Sequence, residues 1–340
     1  MPRFETIRDV VEPVEEYRRG GYHPVHLEDT IGYRYKVIAK LSFGQFSTIW
    51  LARDKAFEKT QHFIALKILK ANNGPEGNTE GPNGLHLCLV FPVVLGDCHD
   101  LTVTAKPRNA AFVRSVSKQI LLGLQVVHDE GFIHCDLPPA NILIAKAGTT
   151  EDGGEGEAPV LYPPEFSPVQ WLDGVTVDDS APRYLVHSQR RRGALDEKDF
   201  SILLSTIGDL GSDRTLFPLC HEQWTNAVFA VLALPREMGY QDRFWALGCL
   251  IFELATNEPL FSIGTFGLSH EDIDTEHLRQ IEQVLGGGLD GFVTYLAARL
   301  PADFGAGNTR CLAAFLLLML QQDPPEEDGD SRVAGAAISE

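Results

Sequence analysis

The period of the hydrophobic pattern changes once along this chain, and that change restricts its possible folds more than any other feature. Between residues 33 and 94, apolar side chains alternate with polar ones. YRYKVIAKLSFGQFSTIWLARD (33–54) reads as two strands joined by a glycine-containing turn. HFIALKILKA (62–71) reads as a third strand, and HLCLVFPVV (86–94) as a buried strand that stops at Pro92. After residue 108 the spacing lengthens. Phe112, Val113, Val116, Ile120, Leu121, Leu124 and Val127 recur at three- and four-residue intervals, the stripe of an amphipathic helix that ends at Gly131. FWALGCLIFELA (244–255) is apolar nearly all round and reads as a buried helix. Further helices are expected at 275–285, 289–299 and 308–321. Strands first and helices afterwards imply an α+β chain in two unequal lobes, 33–92 and 93–323.

The remaining segments punctuate these lobes. Residues 1–32 carry Pro, Gly and charges and are expected to form an extended leader. Residues 71–84, ANNGPEGNTEGPNG, can hold neither helix nor strand for long. Residues 147–182 are expected to form a flexible insertion, and 324–340 a disordered tail. The chain shows no unbroken apolar run of about 18 residues, so no membrane span is expected. Its first residues lack the apolar centre of a secretory signal. Cys88, Cys98, Cys135, Cys220, Cys249 and Cys311 lack paired spacing, which fits reduced thiols in a cytoplasmic and nuclear protein. With 29 basic against 47 acidic side chains the net charge is -18, and no basic footprint for nucleic acid is present. Such an acidic surface suits cationic partners, Arg-rich peptides among them; its alternative reading is solubility alone.

One stretch carries a chemical signal. GFIHCDLPPANILI (131–144) places Asp136 after an amphipathic helix, with Asn141 five residues on and an apolar run at Ile142–Ile144. Phosphoryl transfer from ATP needs a roof over the phosphates, a cation on them, metal-holding groups and a base near the acceptor hydroxyl. Candidates occur in protein-kinase order. The roof is Leu41–Ser47, where Gly44 alone offers a freely approaching backbone and Ser42 stands at the first position. Lys67 is the phosphate lysine, Asp136 the base, and Asn141 and Asp209 hold the metal. The competing readings are plain: a hairpin turn at Gly44, a solvated lysine, and Asx turns at Asp136 and Asp209. No G-x-S-x-G, P-loop or Rossmann glycine pattern supports a hydrolase or a dinucleotide fold.

The strings Gly21–His26 (GYHPVH), Phe46–Ala52 (FSTIWLA), Asn83–Phe91 (NGLHLCLVF), Ile207–Gly211 (IGDLG) and Trp245–Cys249 (WALGC) resemble the SR-protein kinase family, most of all its fungal members. The resemblance runs from about residue 15 to 323. It implies a bilobal serine/threonine kinase that uses ATP and Mg2+ and phosphorylates Arg/Ser-rich splicing factors. By position it makes Asp136 the base and sets Lys67 on the phosphates, with Asn141 and Asp209 on magnesium. It places Ile49, Ala65 and Leu143 around the adenine and Phe91 at the back of that pocket.

Several positions depart from the family pattern. Pro138 replaces the lysine that neutralises the transferring phosphoryl group, an electrostatic contribution of several kcal/mol to such barriers. Only 15 residues separate Lys70 from His86, where the family has a helix whose glutamate pairs with the strand lysine. Glu76 and Glu80 lie there without a helix to hold them. Arg243 stands where the family has a bracing aspartate, and Asp242 is one position, about 100 degrees of helix, away. Leu234-Pro235-Arg236-Glu237 replaces Ala-Pro-Glu, and Pro92 removes a donor at the hinge. Impaired catalysis is therefore expected, the alternative being a pseudokinase that docks basic partners without turnover.

Overall fold

The structure, a computed structural model, describes residues 2–57, 62–71, 77–102, 107–130, 132–134, 136–146, 161–189, 203–209, 214–215, 240–262, 264 and 269–320. In chain order the first elements are β1 (Thr30–Ile31), β2 (Tyr35–Phe43), β3 (Ser47–Asp54), β4 (Phe63–Leu69), β5 (Thr79–Gly81), β6 (Gly84–His86) and β7 (Cys88–Pro92). Next come β8 (Gly96–Asp97), α1 (Cys98–Thr102), α2 (Ala110–Asp129), β9 (Phe132–Ile133) and β10 (Ile142–Lys146). After these follow β11 (Phe166–Pro168), β12 (Tyr184–Val186), β13 (Leu203–Ile207) and β14 (Arg214–Thr215). The last helices among the described residues are α3 (Tyr240–Thr256), α4 (His270–Leu285), α5 (Gly288–Ala297) and α6 (Ala306–Met319). The residues divide into two compact units, 1–94 with 146–191 and 95–145 with 192–340.

The first unit is built on a five-stranded antiparallel sheet ordered β1-β2-β3-β4-β7. Side chains alternate across its faces, as the period-2 pattern requires. Trp50, Ala52, Ile64, Leu66, Ile68 and Cys88 enter one core together with Val25, Ile31, Val37 and Val186. The register sets Ile49 opposite Lys67, Lys67 opposite Leu89, and Ala65 opposite Leu51 and Phe91. The other face therefore carries Ile49, Ala65, Lys67 and Phe91. Between β4 and β7 the described residues hold the β5–β6 hairpin and no helix.

Two segments are more ordered than the sequence suggests. The stretch expected as a leader has little regular structure, yet Phe4, Tyr17, Tyr22 and Val25 are buried in it. Residues 161–182, expected to be flexible, join the same unit: β11 pairs with β12, and Trp171 meets Phe4 through a β-bridge and ring contact at 4.4 Å. The buried Asn83, in the β5–β6 turn, donates through Nδ2 to the carbonyls of Tyr22 and Ser180, both at 2.7 Å. One side chain thus fastens three segments. The expected insertion's 147–160 portion and the tail lie outside the described residues.

His23 belongs to this seam. It is buried against the His86 ring at 4.7 Å, and its Nδ1 has no hydrogen-bond partner among the described residues. Burial, with a smaller contribution from His86, pushes its pKa down to about 4 from 6.5. The folded chain then binds fewer protons than the unfolded one between those values, so stability falls as pH drops from about 6.5 towards 4. A loss of about 2 kcal/mol by pH 5 is expected from this group. Melting of wild type and His23→Gln between pH 7 and 5 checks it; equal slopes for the two would refute it.

The second unit is helical around one large core. Phe112, Val113, Val116, Ile120 and Leu124 of α2 pack there with Leu250, Ile251 and Phe252 of α3, Phe292 and Leu296 of α5, and Leu312 and Leu316 of α6. α2 holds an 18-residue window of mean hydropathy 1.2, long and apolar enough to cross a membrane. That corrects the expectation of no such segment, which looked for an unbroken apolar run: Arg114 and Lys118 interrupt the run without lowering the average far. Its stripe buried in the core is the pattern of a core helix. α4 starts five residues earlier than its apolar spacing predicts, because Ser269 and Asp272 form a reciprocal capping box.

Candidate active site

Three of the predicted polar residues meet in the second unit. Beyond Asp136 the chain is extended at Pro138 and turns once at Pro139–Asn141 before entering β10. That turn brings Asn141 back onto Asp136. Its Nδ2 donates to the Asp136 carbonyl and to Oδ2, each at 3.2 Å. With Nδ2 so committed, the planar amide turns Oδ1 away from Asp136 as a hard oxygen donor, the kind magnesium prefers.

Asp209 is delivered by β13, which lies beside β10 in a small sheet. The Gly208 N–H donates to the Asn141 carbonyl at 2.7 Å. The buried His134 donates from Nε2 to the Gly208 carbonyl at 2.8 Å. A Cβ at position 208 would come within 2.7 Å of Leu143 Cδ1, so any larger residue there would have to displace the Leu143 side chain. Asp209 itself sits at φ 59, a left-handed conformation that aspartate tolerates better than most residues. Asp136, Asn141, Leu143 and Asp209 are thus held by two short segments stitched backbone to backbone. The His134 link was not legible in the sequence beyond its place two residues before Asp136.

The other predicted residues lie in the first unit. Ile49, Ala65, Lys67 and Phe91 share one sheet face, as the register above requires. Ser42 pairs with Ile49 beyond a bulge in β2, and the Gly44 N–H donates to the Ser47 carbonyl at 2.9 Å to close the turn. Phe91 is exposed while Ala65 is buried. Of the departures, Arg243 falls on the α3 backbone, whereas Glu76 and the Leu234–Glu237 stretch lie outside the described residues.

A second polar cluster has the residue types of a hydrolase triad. Ser167 Oγ is 2.7 Å from His187 Nε2, whose Nδ1 lies 3.4 Å from Glu165. The same Oγ lies 2.5 Å from Asp9 Oδ2, and a hydroxyl has one proton to give, which goes to the carboxylate. Nε2 must then donate to Oγ, the wrong tautomer for a base, and Ser167 is buried. The cluster fastens Asp9 to β11.

No protein-family model matches the chain. The serine/threonine-protein kinase SRPK of Physarum polycephalum is 26% identical over 337 aligned residues, covering 83% of this chain and 74% of that protein. Protein kinase dsk1 of Schizosaccharomyces pombe is 32% identical over 176 residues, and human SRSF protein kinase 3 is 32% identical over 171. The chain is thus similar in sequence to SR-protein kinases. These relatives are protein kinases, and the chain itself is α+β, with a strand-rich unit and a helical one. It spans 32% of dsk1 and 29% of SRSF protein kinase 3, so only part of those longer kinases has a counterpart here. A solved kinase domain covers 89% of the chain at 13% identity with a TM-score of 0.48, too low to add to the sequence matches. Where the resemblance leads one to expect a small-lobe helix, the described residues between β4 and β7 hold the β5–β6 hairpin.

Proposed function

We propose that the chain transfers the γ-phosphate of ATP to serine or threonine of Arg/Ser-rich proteins in the cytoplasm and nucleus, more slowly than a kinase with an intact catalytic loop. The observation that carries this reading is the Asn141 amide holding Asp136 while the same loop grips Gly208 beside Asp209. Asp136 accepts the proton of the attacking hydroxyl. Asn141 Oδ1 and the Asp209 carboxylate supply the oxygen donors for magnesium, which when bound neutralises phosphate charge. Lys67 pairs with the phosphates, and Ile49, Ala65, Leu143 and Phe91 supply the apolar surroundings of the adenine. The net charge of -18 favours the approach of arginine-rich substrates.

Incubation with labelled ATP, magnesium and an Arg/Ser peptide tests the proposal. Transfer above that of Asp136→Asn is the expected result, and transfer equal to it would overturn catalysis. A second reading, a pseudokinase that docks basic partners, is favoured by Pro138 in the lysine's place. Under that reading the peptide binds and is not phosphorylated. A flat melting response to MgATP would remove nucleotide use from either reading.

A further inference from the structure

We infer that the N-terminal segment Glu12–Tyr22 is a strap that positions the phosphate roof, with the Tyr22 hydroxyl as its positioning group; the inference deepens the kinase reading and rests on it. Among the described residues, four bonds carry the argument. Tyr22 donates its hydroxyl to the carbonyl of Gly44, the roof's one glycine, at 2.7 Å. The Lys70 N–H donates to the carbonyl of Phe46 at 2.8 Å, and the Ala71 N–H to the carbonyl of Gly21 at 2.9 Å. The Lys70 ammonium lies 4.4 Å from the Tyr22 ring centroid and 2.8 Å from the Glu16 carboxylate. Strap, roof and the end of β4 are therefore joined in a closed circuit.

The sequence builds this locally. In Arg18-Arg19-Gly20-Gly21-Tyr22 the chain reverses so tightly that any Cβ at residue 21 would sit 1.8 Å from the Glu16 carbonyl oxygen. Only glycine permits that approach. The reversal turns Tyr22 inward, where it is buried beside Tyr17 at 5.5 Å between ring centroids.

Peptide geometry then gives the strap its consequence. In a planar trans peptide the C=O and the following N–H point in opposite directions. Engaging the Gly44 carbonyl from the strap directs the Gln45 N–H away from the strap, and engaging the Phe46 carbonyl from the end of β4 directs the Ser47 N–H away from that strand. A roof that donates backbone N–H groups to phosphate needs that orientation fixed in advance. A roof with several glycines gains close approach from its lack of side chains. This one, with Ser42 and a single glycine, gains orientation from an external hydroxyl.

Tyr22→Phe keeps the ring and removes the bond. Exchange of the Gly44 and Lys70 amides, whose bonds close the roof, is expected to quicken about fivefold, the equivalent of one net hydrogen bond. The amides of Trp50 and Leu66, central in β3 and β4, are expected not to change. KM for ATP should rise about fivefold at constant kcat. Unchanged exchange at Gly44 and Lys70 overturns the strap, as does uniform quickening that includes Trp50 and Leu66. If Tyr22→Phe does not fold, Glu16→Gln, which releases Lys70 from over the ring, is expected to quicken the same two amides. No change there overturns the strap equally. Exchange is read without nucleotide, so a wild type that transfers no phosphate defeats the kinase reading while the strap is still decided.

Discussion

Pro138→Lys is expected to raise the rate of phosphoryl transfer by about two to three orders of magnitude, the scale of a restored charge on the transferring group. The backbone is ready for the exchange. Pro138 lies at φ -72 and ψ 162, an extended conformation that lysine adopts without strain. The next residue, Pro139, already excludes the helical region for whatever precedes it. The carbonyl of residue 138, which accepts the Asn141 N–H at 2.9 Å, is present in either residue. Position 138 is half-buried beside the Asp136–Asn141 contact, so an ammonium on a four-carbon stem reaches the neighbourhood of the base. Loss of the proline ring should cost about 0.4–1 kcal/mol through the unfolded state. The change should appear in kcat, since the added charge acts where negative charge develops. Single-turnover rates of both proteins with an Arg/Ser peptide decide it. Equal rates would mean that phosphate neutralisation is not what limits this chain.

What the sequence made legible was local. Trp50, Leu66 and Ile68 enter one core because alternation needs only the strand's own period. The α2 stripe follows likewise from its own spacing. Asp136 and Asn141 were readable as a pair because five residues and one turn separate them. The described part of the expected insertion, residues 161–182, was not. Their Gly, Pro and acidic content signals a loop, whereas their order comes from Trp171 reaching Phe4 and the nearby Leu185 reaching Tyr17 and Tyr22, partners more than 150 residues away. Nor did the sequence show which side chain steadies the roof. GYHPVH served as a family signature, and nothing in its letters links the tyrosine hydroxyl to the Gly44 carbonyl that it meets. Lys40 is a similar case. The alternation of β2 leaves a lysine there for solvent, but register shifts between Val37 and Ala39 and between Lys40 and Ser42 turn the strand, and the side chain is fully buried.

Lys40→Met is expected to destabilise the fold by about 3–5 kcal/mol, the scale for removing one partner of a buried ion pair. The Lys40 ammonium pairs with the Glu12 carboxylate, and both side chains are buried. Tyr17 donates its hydroxyl to the same carboxylate at 2.5 Å, and the Phe43 and Trp50 rings lie 5.3 and 5.4 Å from the ammonium. Without the lysine, a buried carboxylate keeps one hydroxyl as its partner. Removing both charges in Lys40→Met/Glu12→Leu should recover most of the loss, because the cost comes from the stranded charge more than from the missing attraction. Burial pushes the lysine pKa down, and Glu12 opposes that shift. The folded state then releases this proton at lower pH than the unfolded state does. Wild-type stability should accordingly gain from this group as pH rises through its folded pKa towards 10.5, and Lys40→Met should lack the gain. Urea midpoints at constant m-value measure the single and double variants. A single variant within about 1 kcal/mol of wild type would show that Glu12 is not held as a buried charge. Because Lys40 lies in β2 two residues before Ser42, and Glu12 opens the strap that reaches Gly44, the same pair that stabilises the sheet fixes where the roof begins.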